Sequence, residues 1–179
     1  MTIRAAARAP RPTRGRRVRS AVVLGVFVLL LAAIAAFEGA VSTGSASGWF
    51  SRSEQVIWTP PQWFSRTVWA AVFLLLAVVG WRTWRRTAGR SLARATCAVA
   101  LVLLTVWPPV YLGGYPVLGT TALWIAFLLA LLLVVSLIVL STVLWDIARP
   151  VAFLLVPVVV WLLYVASINL GDAVLAVLD

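Results

Sequence analysis

Apolar residues run in unbroken blocks along this chain, and charge is confined to the gaps between them. No charged side chain lies between Arg19 and Glu38, between Arg94 and Asp146, or between Arg149 and Asp172. The blocks show none of the apolar/polar alternation of a barrel strand. A membrane-spanning helix needs about 20 apolar residues, and in lipid only helices or closed barrels satisfy the backbone. The pattern therefore predicts an all-α, polytopic integral membrane protein with five spans, at about 21–41, 66–84, 92–112, 117–145 and 151–170. The longest uncharged run is broken by Pro108-Pro109 and again by Gly113-Gly114-Tyr115-Pro116, which reads as a tight turn. The fourth span exceeds what a bilayer needs, so it is expected to tilt or to extend into the interface. Residues 20–179 form one transmembrane domain in this reading, and residues 1–19 form a basic tail.

Composition fixes the class more firmly. The chain is 63% hydrophobic with a mean hydropathy of +1.05, which excludes an ordinary soluble globule. The charge balance adds orientation. All 15 basic residues are Arg, and seven of them precede the first span. Five more (Arg82, Arg85, Arg86, Arg90 and Arg94) fall in the second connection, and Arg149 falls in the fourth. Five spans with the N-terminus inside place all of these on one side, leaving Arg52 and Arg66 on the other. The positive-inside rule then gives N-terminus in and C-terminus out. The expected location is the cytoplasmic membrane of a bacterium. The basic tail reads as an orientation signal attracted to anionic lipid, not as a nucleic-acid site. Arg16-Arg17 and the small residues around Ala46 faintly resemble an export signal, but the apolar run from Ser20 is longer than a usual signal core.

Candidate chemistry is sparse. The chain has no His, which removes the usual haem ligand, zinc ligand and general base. Cys97 is the single cysteine and is expected to be a packing residue. Five acids remain: Glu38 and Asp146 near span ends, Glu54 in the first loop, and Asp172 and Asp179 at the C-terminal end. None is expected deep in a span, so an intramembrane proton relay has no carboxylate to use. No catalytic residue, metal site or covalent cofactor is expected.

Ten Trp in 179 residues need a reason. Trp49, Trp58, Trp63, Trp81, Trp84, Trp107 and Trp145 fall near span ends, where an interfacial belt is the simpler account. Trp161 lies near the middle of the fifth span. It shares a helical face with Pro157, Tyr164 and Ile168, and Trp69, Phe73, Leu76 and Gly80 do the same in the second span. Two inward aromatic stripes are either core packing or the walls of a site for a planar ligand. Each ring pair contributes about 0.5–1.5 kcal/mol beyond area burial, so several rings suffice to hold a macrocycle without a metal bond.

The blocks from Trp58 to Asn169 resemble the TspO/MBR family of tryptophan-rich sensory and translocator proteins. The family's W-x-P-P-x-W turn followed by V-W is similar to Trp58, Pro60, Pro61, Trp63, Val68 and Trp69. Its paired tryptophans at the end of the second span are similar to Trp81 and Trp84. Its W-S-P-L-F-F-G is similar to Trp107-Pro108-Pro109-Val110-Tyr111-Leu112-Gly113. Its fifth-span pattern is similar to Leu154-Leu155-Val156-Pro157-Val158 with Trp161, Tyr164, Ile168 and Asn169. The resemblance implies a five-helix bundle of TspO/MBR type and a homodimer. It also implies binding of porphyrin, haem or a similar flat apolar ligand in a cavity closed by the first loop. Carried over residue by residue, the ligand site comprises Trp58, Pro60, Pro61, Trp63, Trp69, Phe73, Trp107, Trp161, Tyr164 and Asn169. Light-dependent porphyrin breakdown is associated with the family, and sterol transport with its mitochondrial members.

The departures from the pattern cluster. Where the family has Asn three residues and Gln seven residues before the third-span Trp, this chain has Leu104 and Ala100. An expected Tyr is Cys97, and the Tyr after the fifth-span Pro is Val158. Each change removes a hydrogen-bonding group, so a drier and less selective cavity is expected. The sequence thus points to porphyrin or haem handling in sensing or transport, with a carrier of lipid- or sterol-like molecules and a ligand-free membrane scaffold as alternatives. The expected partners are membrane lipid, the small molecule and a second copy of the chain. Small residues at i, i+4 spacing, Ala32-Ala36-Ala40 in the first span and Thr96-Ala100 in the third, are the expected contact stripes, with the third favoured.

Overall fold

In the computed structural model the apolar blocks are helices, and residues 14–46, 56–86 and 91–178 are described. The elements are α1 (Arg14–Ala46), α2 (Gln62–Arg86), α3 (Ser91–Gly113), the single turn α4 (Tyr115–Leu118), α5 (Thr120–Phe153) and α6 (Leu155–Leu178). Five of these are long and apolar enough to cross a membrane: α1, α2, α3, α5 and α6. The protein is a five-helix membrane bundle.

The core is organised around α5. Leu123, Ala126, Ala130, Leu133, Leu137, Leu140 and Leu144 are all buried and repeat at alternating steps of three and four. That is the seam spacing of a coiled coil. Ala93, Ala100, Leu104, Trp107 and Tyr111 present a matching row from α3, and Leu155, Val158, Leu162, Ala166, Asn169 and Ala173 from α6. The α5–α6 and α3–α5 contacts are the most extensive in the molecule. In lipid no hydrophobic gain separates one apolar face from another, so close packing has to hold the helices together. The alanines in the upper half of the α5 seam allow that approach. Helix α1 lies outside this block and packs on α2 and α3. Phe27 packs against Gly80, where a Cβ would come within 2.5 Å of the ring, and the Trp81 indole N–H donates to the Ser20 carbonyl at 2.9 Å.

The turns follow from a few residues. Pro108 and Pro109 do not end α3, which continues to Gly113. Helix interruption by Pro is tolerated where neighbouring helices enclose it, and Pro108 is buried here. The chain instead reverses at Gly113-Gly114 and through α4. Gly119, at φ 58° and ψ −144°, occupies backbone space that side chains exclude, and it links α4 to α5. The backbone leaves the helical region at Ala148, two residues before Pro150. Pro150 has no N–H to give the Asp146 carbonyl, and its ring blocks a continued helix.

Arginine and tryptophan meet at one end of the bundle. The guanidinium groups of Arg82 and Arg85 lie 5.7 and 5.2 Å from the Trp81 ring centre. Arg94 lies 4.5 Å from Trp84, and Arg149 lies 5.7 Å from Trp145. One sequence expectation is overturned by packing. Ala100 is only 6% exposed and lies inside the bundle, so the Thr96-Ala100 pair is no outward seam. Ala32, Ala36 and Ala40 of α1 are all exposed.

Candidate functional site

The opposite end of the bundle carries the aromatic residues singled out above. The short strap 56–61 enters α2 through a turn closed by the Thr59 N–H on the Val56 carbonyl at 2.9 Å. Pro60 and Pro61 prevent any earlier helical start. The Pro61 carbonyl then accepts the N–H groups of Phe64 and Ser65, at 3.0 and 3.1 Å, and opens the helix.

Below the strap, rings from three helices interlock. Trp69 of α2 stacks on Trp107 of α3 at 5.9 Å and meets Trp161 of α6 edge to face at 6.3 Å. Phe73 continues the stripe one turn beyond Trp69, at 5.9 Å. Trp107 stacks on Tyr111 at 5.5 Å, and Trp161 packs on Tyr164 at 5.4 Å and on Phe64 at 6.1 Å. The two inward stripes therefore face each other, with the rings in mutual contact. Trp107 is 7% exposed and belongs to this interior rather than to an interfacial belt.

The strap is tied to α6. The Tyr164 hydroxyl donates to the Trp58 carbonyl at 2.6 Å. The Val56 N–H donates to Asp172 Oδ1 at 3.3 Å, and the Tyr111 hydroxyl donates to Asp172 Oδ2. Gly171 leaves the notch in which Val56 sits, and a Cβ there would overlap a Val56 methyl and come within 3.1 Å of the Trp58 ring. The expectation that Asp172 sits at the end of the fifth span is thereby corrected. Helix α6 runs six residues further, to Leu178, and Asp172 is 7% exposed within it. Asp179 and Glu54 lie outside the described residues, as do Trp49 and Arg52.

The other expected site residues are placed as follows. Trp58 is half exposed, Pro60 is half-buried and Pro61 is exposed. Trp63 is 70% exposed and touches the cluster through Phe64, edge to face at 5.9 Å. Asn169 is fully buried, on the face of α6 that forms the core seam. Pro157 points outward, and Val158 takes the interior position beside it. Sequence reasoning missed Phe64, Tyr111 and Asp172 as site residues. The available signal was Asp172 itself, an acid followed by six further uncharged residues.

Among the described residues, several buried polar atoms here have no hydrogen-bond partner: the indole nitrogens of Trp107 and Trp161, both amide atoms of Asn169, and the Thr59 hydroxyl. Buried polar groups are normally paired. A ring ligand offering acceptors to the two indole N–H groups would satisfy part of this set. The described residues would hold a flat ring by stacking and N–H donation only once the touching rings part. They supply no histidine to an iron, and Tyr111 is engaged by Asp172. A separate small pocket lies deeper, lined by Leu76, Cys97, Ala100, Leu101, Leu104, Leu133, Leu137, Leu140 and Leu162. It has room for no more than about one water molecule and is almost wholly apolar.

Fold and site together define a class: a five-span helical membrane protein with an aromatic box at one end, under a strap from the first connection. The TspO/MBR family model matches residues 27–174, and the chain belongs to that family. It is 22% identical over 149 residues to Protein CrtK of Rhodobacter capsulatus, covering 82% of this chain and 89% of that protein. It is 26% identical over 131 residues to the Translocator protein of Ovis aries, covering 70% and 73%.

Proposed function

We propose that this protein binds a porphyrin, haem or similarly flat and largely apolar ligand in the aromatic box, in a sensing, transport or tetrapyrrole-handling role and without a catalytic residue of its own. The observation that carries this is the convergence of Trp69, Trp107 and Trp161 from three helices, with two buried indole N–H groups that find no partner among the described residues. Pure core packing accounts for the ring contacts but leaves those donors unexplained. Because the rings touch, a ligand enters by parting them. The acidic edge of a porphyrin would face the exposed Arg66, away from Asp172. Quenching of tryptophan fluorescence, with the protein in nanodiscs, tests the reading. Saturable quenching by protoporphyrin supports it. Saturation only by a fluorescent sterol analogue favours a carrier of lipid-like molecules, a reading in keeping with the apolar lining at Cys97, Ala100 and Leu104. No saturation by either probe leaves a membrane scaffold.

The same reading places the strap and box on the outer side of a bacterial cytoplasmic membrane, with the arginine-rich end inside. A C-terminal alkaline phosphatase fusion is expected to be active and a C-terminal green fluorescent fusion dark. The reverse pattern would overturn the orientation. The homodimer is assigned to the exposed Ala32-Ala36-Ala40 stripe of α1.

A further inference from the structure

The Tyr111–Asp172 pair is unlike the rest of the chamber. Tyr111 stands where the family pattern quoted above has Phe, and it brings a hydroxyl into an otherwise aromatic wall. Asp172 is a buried acid in a helix that is otherwise free of charge from Leu155 to Leu178. Acids within spans are rare and tend to mark function. Both oxygens of Asp172 act as acceptors, one from the Tyr111 hydroxyl and one from the Val56 N–H. An ionised carboxylate meets this pattern fully, because it only accepts. One donor comes from α3, inside the rigid block. The other comes from the strap. Tyr111 thus fixes the carboxyl group, and the carboxyl group holds the backbone of Val56. The notch at Gly171 seats the Val56 side chain directly beside this contact.

We propose that Asp172 and Tyr111 are positioning residues that fasten the 56–61 strap over the aromatic box, and so set how fast ligand enters and leaves. The fastening stands on the contacts alone, while its effect on ligand rates rests on the binding reading above. A single hydrogen bond of 3.3 Å suits a strap that must open and reclose. The Tyr164 hydroxyl on the Trp58 carbonyl is a second tie. It lies two residues along the strap, so loss of Asp172 should loosen the Val56 end first.

The experiment separates the two layers. A full-length chain carrying Cys97→Ala and Thr59→Cys has one thiol, at a position whose side-chain oxygen is buried under the closed strap. A membrane-impermeant maleimide then reports strap opening without any ligand. With Asp172→Val the labelling rate is expected to rise roughly tenfold, the upper scale of one lost hydrogen bond. Tyr111→Phe should give a smaller rise, and Asp172→Asn, which keeps an acceptor for the Val56 N–H, the smallest. Gly171→Ala should raise labelling without touching the carboxyl group, by filling the notch. Val160→Leu, on the lipid-facing side of α6, should leave labelling at the parent rate. If Asp172→Val fails to fold, Tyr111→Phe and Gly171→Ala carry the same test. Stopped-flow quenching by protoporphyrin supplies the second readout. Association and dissociation should both accelerate in the loosened variants, by similar factors, with little change in dissociation constant. Parent-like labelling in Asp172→Val, or in the other two where that variant does not fold, overturns the proposal. Faster labelling with no porphyrin binding by any form, the parent included, upholds the latch and removes the ligand reading.

Discussion

Trp161→Leu is expected to keep the bundle folded and to weaken protoporphyrin binding about tenfold to a hundredfold, which is roughly 1–3 kcal/mol by analogy with base–aromatic stacking. Leu is at home on the inward face of α6, where Leu155 and Leu162 already lie. The fold therefore loses three ring contacts but gains no unpaired polar group. The ligand site loses more, because Trp161 is the meeting point of Phe64, Trp69 and Tyr164. Two controls sharpen the result. Val160→Leu, 61% exposed, should change neither affinity nor stability. Trp63→Leu should have a small effect, because that ring faces outward. Equal porphyrin affinity in Trp161→Leu and the parent would remove the box as the binding site, and a large loss in Trp63→Leu instead would move the ligand to the surface of the strap.

The second large effect is expected in the core. Leu137 is buried on the α5 seam and also lines the small apolar pocket. Leu137→Ala should cost roughly 2–5 kcal/mol, because the lost contacts and the new void add. The void would merge with the pocket beside Ala100 and Leu104. A denaturation series followed by helicity measures the stability, and an unchanged midpoint would show that α3, α5 and α6 collapse to fill the gap. If the chain carries lipid-like molecules, the same variant should bind a sterol analogue more tightly while its porphyrin affinity stays unchanged. Opposite responses of the two ligands would locate two different sites.

Much of the architecture is legible in the sequence because charge interrupts it so cleanly. The breaks at Gly113-Gly114 and before Pro150 follow from residues that lipid cannot disguise. The meeting of Trp69 with Trp161 was legible as two aromatic stripes at helical spacing. What the spacing left open was whether those rings touch one another, and they do. The core seam of α5 was not legible. When every position is apolar, the inward face has no contrast with the lipid-facing one, and Leu128 and Leu132 look the same in sequence as Leu133 and Leu137. For the same reason Ala100 was read as part of an outward contact stripe, and Trp107, by its position alone, as an interfacial ring. Asp172 was misread because an acid after a long apolar run resembles an exit from the membrane. The six uncharged residues beyond it, Ala173 to Leu178, were the sign that the helix continues. Its partners lie far away in sequence, at Val56 and Tyr111, and no local pattern announces them.

The three-and-four rhythm of α5 also behaves as a reading frame. A helix turns by 100° per residue, so one residue inserted near Ala130 would rotate the remaining seam positions away from α3 and α6. Leu133, Leu137, Leu140 and Leu144 would turn toward lipid together, and the aromatic box would be lost without any of its own residues changing. An insertion of seven residues would restore the frame and lengthen the helix by about 10 Å. Descent within such a bundle is therefore expected to exchange apolar residues freely on the lipid-facing side of α5, within narrow limits of size on its seam, and to reject small changes of length inside the helix. Variation in span length should instead collect at its two ends, at Gly119 and at Ala148, where the backbone is already out of register.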